Sequence, residues 1–352
     1  MRPIIISGGI LEAKNMSGIP RYSYEVIKHL DELLERDEQK NIDIRICYRA
    51  DRTINVGKLH KIKMCPLEKK RKKFRLQVLR KYIKNQNGIS CNFANDVQIY
   101  RNGIVCVHDI RPLDTRLYDT PKLRREFLCL KYSIKLMNST VVTVSEYSKK
   151  EICRICRMPE DKVHVIPNGW EHITKIEKDM TIFDRLSNVK RENYFYSIGS
   201  VARHKNFKWI YEIARRNPEE MFVVAGNIDE SFWKIDISEM KLNNMVFCGY
   251  VSDQENKALM QNCKAFLFPS KYEGFGIPPL EALALGKKII ISNATCLPEI
   301  FGSSAAYFDP DDYNVDLESM MNQKVEGREK VLEKYTWKNA AKLWMKLFVQ
   351  MQ

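Results

Sequence analysis

Two stretches of this 352-residue chain combine residue types that could do chemistry on a ligand. The first, Glu273 to Glu281 (EGFGIPPLE), sets two carboxylates around a glycine-rich loop that runs into a short helix. Every residue from Leu280 to Leu285 is apolar except Glu281, so that helix is expected to be buried all round with one carboxylate in need of a polar partner. A capping box would want Ser or Thr three residues earlier, where Pro278 stands, which leaves a dipole attraction of about 0.3–1 kcal/mol. A ligand bearing hydroxyl groups would satisfy the acid better, and the GFG loop lets backbone N–H groups come close to it. The second stretch, GSVARHKNF at 199–207, places Arg203, His204 and Lys205 just before a helix. Fixed cations beside helical N–H groups suit a phosphate, although a solvated loop would read the same way. Cations for a diphosphate together with carboxylates for hydroxyls imply a site for a nucleotide sugar.

A third candidate is His108 with Asp109, which the last turn of the apolar strand expected from Gly103 to Ile110 (GIVCVHDI) would expose. A histidine at a strand end is more often a hydrogen-bonded structural residue than a catalytic one. Here it leads into the loop from Arg111 to Tyr118, at the sheet edge where open α/β folds gather their site residues.

The elements that must hold these residues alternate between strand and helix. A strand at Pro3 to Ser7 precedes Gly8-Gly9 and a polar loop ending in Ser17-Gly18. A helix from about Ile19 follows, with Tyr22, Val26, Ile27, Leu30, Leu33 and Leu34 at helical spacing. Further strands are expected at Ile42 to Tyr48, Val141 to Ser145 and Val163 to Ile166, the last closed by Pro167-Asn168-Gly169. Residues 170–192 lack a strand pattern and read as a linker. The alternation then restarts with strands at Tyr194 to Ile198, Met221 to Ala225, Met245 to Cys248, Ala265 to Phe268 and Lys288 to Ser292. Two doubly wound parallel sheets in tandem are expected to form a cleft between them, and residues 326–352 read as a long helical tail.

The net charge of +14 is carried unevenly. Residues 1–180 hold 36 Lys and Arg against 22 Asp and Glu, whereas residues 181–352 hold 22 of each. The densest piece, 69–84 (KKRKKFRLQVLRKYIK), has nine cations and no acid. A solvated basic face and a nucleic-acid groove are the alternatives. Because apolar and aromatic residues interleave with the cations, an interfacial helix meeting anionic lipid is expected. No segment approaches the ~18 consecutive apolar residues of a membrane span, and no signal peptide is expected. The ten scattered cysteines are read as thiols of a reducing cytoplasm, since a lone Cys153–Cys156 pair is poor evidence for zinc.

Over nearly its whole length the chain resembles the retaining glycosyltransferases of family four. The residues that carry the resemblance are SGIPRYSYEVI at 17–27, VHD at 107–109, VVTVSEYSKKEI at 141–152, HVIPNG at 164–169, SIGSVARHKNF at 197–207 and PSKYEGFGIPPLEALALGKKIIIS at 269–292. The resemblance implies an α/β protein of the GT-B fold, with two Rossmann-like doubly wound domains facing across a cleft. Residues 1–170 would bind the acceptor, 171–192 would link, 193–335 would bind the donor, and the helix at 336–352 would cross back to the first domain. Glu281 would hold the ribose hydroxyls, Glu273 the transferred sugar, and the N–H groups of Phe275 and Gly276 the sugar and phosphate. Gly274, Ile277 and Ser200 complete the implied donor set, and Gly18 with its loop would close over the donor. Lys205, with Arg203 nearby, would neutralise the departing diphosphate, without a metal or other cofactor. His108 and Asp109 would line the acceptor side, so the implied catalytic residues are His108, Lys205 and Glu273. One departure is that His204 stands directly before Lys205, where such enzymes often have Arg.

The expected activity is transfer of a hexose, mannose being the family's suggestion, to a glycan acceptor on a lipid carrier in polysaccharide biosynthesis. The setting would be the cytoplasm, peripheral to the inner face of the plasma membrane, with an anionic membrane surface as partner through 69–84 and no nucleic acid. A nucleotide-sugar epimerase of the same fold is the nearer alternative. A non-catalytic basic module that binds membrane or nucleic acid is the more distant one.

Overall fold

The structure, a computed structural model, describes residues 1–13, 16, 18–36, 42–68, 75–114, 120–199, 202–226 and 242–352. Ser200 and residues 69–74 of the basic stretch lie outside the described residues. The chain divides into two compact units, Met1–Gly169 with Tyr335–Gln352, and Trp170–Lys334.

The first unit is built on parallel strands β1 (Ile4–Ser7), β2 (Ile44–Arg49), β3 (Lys63–Leu67), β4 (Ile89–Asn92), β5 (Ile104–Cys106), β6 (Thr140–Thr143) and β7 (Val163–Val165), in the spatial order β3-β2-β1-β4-β5-β6-β7. β1 is central and reads IIIS, the unbroken apolar run of a strand covered on both faces. From it the chain steps outward to β2 and β3, then returns to β4 and steps the other way. The switch point therefore lies between β1 and β4. The helix Ile19–Arg36 buries Tyr22, Val26, Ile27, Leu30 and Leu34, five of the six positions its spacing marked, and leaves Leu33 half-buried.

Against that helix packs Trp337–Gln350. The expected long tail is two helices, Arg328–Lys334 and Trp337–Gln350, because Thr336 leaves helical geometry and its side chain accepts from the Asn339 N–H as an N-cap. Trp344 donates its indole N–H to the Tyr22 hydroxyl at 2.8 Å, and that hydroxyl donates to the Ile166 carbonyl at 3.1 Å. These bonds satisfy two amphipathic aromatics deep in the core and tie the end of the chain to its beginning.

Of the basic stretch, the helix Arg75–Asn85 is described. Ile83 is buried, while Arg80, Lys81, Lys84 and Leu76 are exposed. Among the described residues no helix is long and apolar enough to cross a membrane. All ten cysteines are thiols.

The second unit has strands β8 (Tyr194–Ile198), β9 (Met221–Ala225), β10 (Met245–Gly249), β11 (Ala265–Phe268), β12 (Ile289–Ser292) and β13 (Ala306–Phe308), all parallel, in the order β10-β9-β8-β11-β12-β13. Its switch point lies between β8 and β11. Phe195, Trp209, Ile213, Phe222, Leu267 and Phe308 share one core, in which Trp209 stacks on Phe308 with ring centres 3.9 Å apart. The stretch 171–192 folds within this unit. It forms the helices Glu171–Lys175 and Ile182–Arg185, and the Lys257 ammonium donates to the Thr174 and Ile176 carbonyls at 3.1 and 2.6 Å.

Candidate functional site

At the switch point of the second unit three loops meet, those that follow β8, β11 and β12. The loop after β8 closes in a short turn, Arg203–Lys205, and then Asn206 adopts the left-handed region before the helix Phe207–Arg216 begins. The Asn206 amide donates to the Pro269 and Pro310 carbonyls at 3.2 and 2.8 Å, which pins this loop to the end of β11. The His204 carbonyl accepts from both the Lys271 N–H at 2.7 Å and the Ser270 hydroxyl at 3.1 Å. Backbone and small polar side chains thus bind the two loops together independently of any ligand.

That framework brings Lys205 and Glu273 together, with Lys205 Nζ 2.5 Å from Glu273 Oε1 and side chains 19% and 13% exposed. The same ammonium lies 5.4 Å from the centre of the Phe268 ring. A cation held between a carboxylate and an aromatic face, at the carboxyl ends of β8 and β11, can receive an anionic group. The carboxylate it releases can then accept from hydroxyls.

Gly276 ends the loop with φ +100° and opens the helix Ile277–Ala284, with prolines in its first turn. A Cβ on Gly276 would lie 2.8 Å from Leu297 Cδ2, so glycine is required both for the turn and for the close approach. Within the helix Glu281 is 9% exposed, as its apolar surroundings implied. Its partner within the protein is His172, whose Nε2 lies 2.7 Å from Glu281 Oε1. Beside the ligand and the helix dipole that the sequence offered for this carboxylate, the structure thus adds a protein partner, a histidine 109 residues earlier. His172 comes from the stretch read as a linker, and no local pattern marks it. The signal that pointed to it was the buried acid itself.

Close packing of glycines shapes the neighbouring strand ends. The Gly226 N–H donates to the Gly249 carbonyl at 2.8 Å, and a Cβ on Gly226 would lie 1.9 Å from the Gly199 carbonyl oxygen. The backbones just after β8 and β9 and at the last residue of β10 are in contact there.

In the first unit, β5 ends at Cys106, and His108 is 8% exposed, so the expectation that the strand end presents it outward is corrected. Its Nε2–H donates to the Phe93 carbonyl at 2.9 Å, and its ring meets Tyr22 edge-on at 4.8 Å. Burial pulls its pKa down to about 4, against the favourable pull of the Phe93 carbonyl on the charged form. At neutral pH it is a neutral imidazole with Nε2 protonated, poorly suited to storing a proton. The physical reason is the aromatic cluster of Tyr22, Phe93 and Trp344, assembled partly from the far end of the chain. Asp109 accepts from the Arg111 N–H at 3.1 Å. Gly18 has φ +54° and open space around a would-be Cβ.

Of the implied donor set, Lys205, Glu273, Gly274, Phe275, Gly276, Ile277 and Glu281 lie together in the second unit, with Arg203 in the same turn as Lys205. His108, Asp109 and Gly18 belong to the first unit. Among the described residues no group of three or more His, Cys, Asp or Glu side chains could hold a metal ion.

Residues 179–336, which contain the Lys205–Glu273 pair, match the family profile described as "Glycosyl transferases group 1". The O-antigen chain mannosyltransferase RfbU of Salmonella typhimurium is 30% identical over 241 residues, which cover 67% of this chain and 64% of that protein. The match thus spans just under two thirds of that relative's length. Sucrose-phosphate synthase from Thermosynechococcus elongatus superposes with a TM-score of 0.73 at 13% identity, covering 99% of each chain. The HepE protein of Anabaena, solved in complex with UDP and glucose, superposes with a TM-score of 0.66 at 15% identity, covering 100% of this chain and 97% of that one. The fold class is thereby that of GT-B proteins, two Rossmann-like parallel sheets.

Proposed function

We propose that this protein is a glycosyltransferase that moves a hexose, mannose in the first instance, from a nucleotide-diphosphate sugar to a glycan acceptor. The observation that carries the reading is the Lys205–Glu273 pair at the switch point of a parallel sheet. It lies inside the segment that matches the glycosyl-transferase profile. The likeness to an O-antigen chain mannosyltransferase supports mannose and a polysaccharide product. The UDP and glucose in the HepE structure support a nucleotide sugar as donor.

In this reading the diphosphate of the donor takes the Lys205 ammonium, and Glu273, released from it, accepts from hydroxyls of the sugar. Glu281, steadied by His172, accepts from the ribose. As the bond between the anomeric carbon and the diphosphate oxygen breaks, its electron pair leaves with the diphosphate, whose growing charge Lys205 and Arg203 stabilise. The acceptor hydroxyl attacks the same face, and its proton passes to the departing phosphate oxygen, so configuration is retained. The acceptor is read as a lipid-linked oligosaccharide. The exposed cations and Leu76 of the helix Arg75–Asn85 would meet the anionic surface of the membrane that carries it, from the cytoplasmic side.

The test is turnover of GDP-mannose and UDP-glucose by the wild type and by Lys205→Ala and Glu281→Ala. Each variant is expected to lose about 100- to 1000-fold if its group acts as described. Undiminished turnover in both would refute the assignment. Incubation with donor alone separates transfer from epimerisation, because an epimer would then form without any acceptor.

A further inference from the structure

The turn that follows β12 holds a residue in a conformation its side chain disfavours. Thr295 has φ +54°. The other non-glycine residues with positive φ among those described are four asparagines, an arginine and a glutamate, and Thr295 alone among them is branched at Cβ. A second heavy atom on Cβ crowds the carbonyl in the left-handed region, so this backbone is strained where Gly or Asn would not be. Such strain persists only where the surroundings fix it. Here they do: the Asn293 N–H donates to the Phe308 carbonyl at 2.8 Å, and the Leu297 N–H donates to the Ala294 carbonyl at 3.2 Å.

What threonine supplies at this position, and glycine cannot, is a hydroxyl. Thr295 Oγ1 accepts from the backbone N–H of Glu273 at 3.1 Å. The next residue completes the grip, since the Cys296 thiol donates to the Glu273 carbonyl at 3.3 Å. Cys296 is fully buried, and burial pushes its thiol well above the usual range, so it stays protonated and able to donate. Both peptide groups of Glu273 are therefore held by consecutive residues of one turn. The Glu273 carboxylate in turn meets Lys205 at 2.5 Å. The same turn carries Leu297 against Gly276, so it backs the glycine loop at both ends.

We infer that Thr295 is a positioning residue. Its hydroxyl, held in a strained turn, sets the backbone of Glu273 so that the carboxylate faces Lys205 and, in the bound state, the transferred sugar. This inference rests on the proposed glycosyltransferase activity and deepens it. Because the nucleotide would be held by Lys205 and Glu281, a misplaced Glu273 leaves donor affinity largely intact and misaligns the reacting sugar. A small misplacement at a reacting centre costs on the order of 100-fold in rate. The effect belongs in kcat and not in KM.

Three substitutions separate hydroxyl, strain and shape. Thr295→Ser keeps the acceptor, Thr295→Val keeps the shape without the acceptor, and Thr295→Gly removes the acceptor and the strain together. With GDP-mannose and UDP-glucose as probes, Thr295→Ser is expected to stay within about threefold of the wild type. Thr295→Val is expected to lose about 10- to 100-fold in kcat, with KM changed less than about threefold. Thr295→Gly is expected to lose kcat similarly while its melting temperature holds or rises, a divergence that a purely structural role does not produce. Amide hydrogen exchange at Glu273 reads the grip without reference to turnover and should quicken in Thr295→Val and not in Thr295→Ser. Wild-type kcat in Thr295→Val, or a Thr295→Ser as slow as Thr295→Val, would overturn the inference. A wild type that turns over neither donor and binds neither GDP nor UDP would instead overturn the proposed activity on which it rests.

Discussion

Replacing His172 by Phe, Glu281 by Leu, and both together isolates the energy of the contact that answers the buried carboxylate. The two side chains are 2% and 11% exposed and meet at 2.7 Å, so solvent screening is slight. A hydrogen bond to a charged group in such surroundings contributes about 1.5–3 kcal/mol net, and stranding one partner adds the cost of a buried polar group left short of a bond. Each single variant is therefore expected to cost about 2–4 kcal/mol, and the double variant to cost less than their sum by about 1–3 kcal/mol. For a unit of this size each kcal/mol moves the midpoint by roughly 2–4 °C, which makes the non-additivity roughly 2–12 °C. Scanning calorimetry is the suitable assay, because two compact units need not unfold in one step and their transitions must be separated. Titration with GDP adds the functional arm: the His172→Phe variant should bind more weakly, on the order of tenfold, because Glu281 loses its fixed orientation toward the ribose. Additivity within about 0.5 kcal/mol would refute the argument that His172 and Glu281 act as a pair.

Other expectations follow from single residues. Burial holds the His108 pKa near 4, below the ordinary value near 6.5, so between those pH values the unfolded chain carries a proton that the folded chain does not. Stability is then fully present above about pH 6.5 and falls as pH drops toward 4, by up to about 3 kcal/mol from this group. His108→Gln, which can still donate to the Phe93 carbonyl, should flatten that part of the pH–melting profile. An unchanged slope would show that His108 does not contribute. Gly226→Ala forces a methyl to within 1.9 Å of the Gly199 carbonyl oxygen at φ +130°. It is expected to cost more than about 4 kcal/mol in the second unit, read as a lost or strongly lowered calorimetric transition. Gly276→Ala meets Leu297 at 2.8 Å and φ +100°. A cost of about 2–3 kcal/mol and weaker GDP binding are expected together, and wild-type behaviour in both would contradict the close packing described.

What was legible in the sequence followed from burial on both faces. IIIS at β1, AFLF at β11 and IIIS at β12 are short apolar runs that a parallel sheet covers from above and below, and their positions follow from pattern alone. Three strands escaped for physical reasons. β4 reads ISCN and is buried only because β1 and β5 flank it. β3 reads KMCPL at a sheet edge, where exposure permits polar residues and Pro66. β13 is three residues long. The loops bearing Lys205 and Glu273, and the helix bearing Glu281, could be placed after strands from residue type and position, since strand ends at a switch point gather polar groups. Their partners could not. His172 and Thr295 reach the site from other parts of the chain, and only the packed sheet shows which residue meets which. His108 was misjudged as outward-facing for the same reason, because the residues that meet it, Tyr22 and Phe93, are themselves packed by Trp344 near the carboxyl terminus.

The central claim, that the Lys205–Glu273 pair receives the diphosphate of a nucleotide sugar, is tested most directly by titration calorimetry of GDP and UDP into the wild type and Lys205→Met. Met keeps most of the apolar stem over Phe268 and removes the charge. The wild type is expected to bind at least one of the two nucleotides with a 1:1 stoichiometry, and Lys205→Met to bind it about 10- to 100-fold more weakly, the loss of one charge-assisted contact of roughly 1.5–3 kcal/mol. Binding of both nucleotides by Lys205→Met with wild-type affinity, or no binding of either by the wild type, would contradict it.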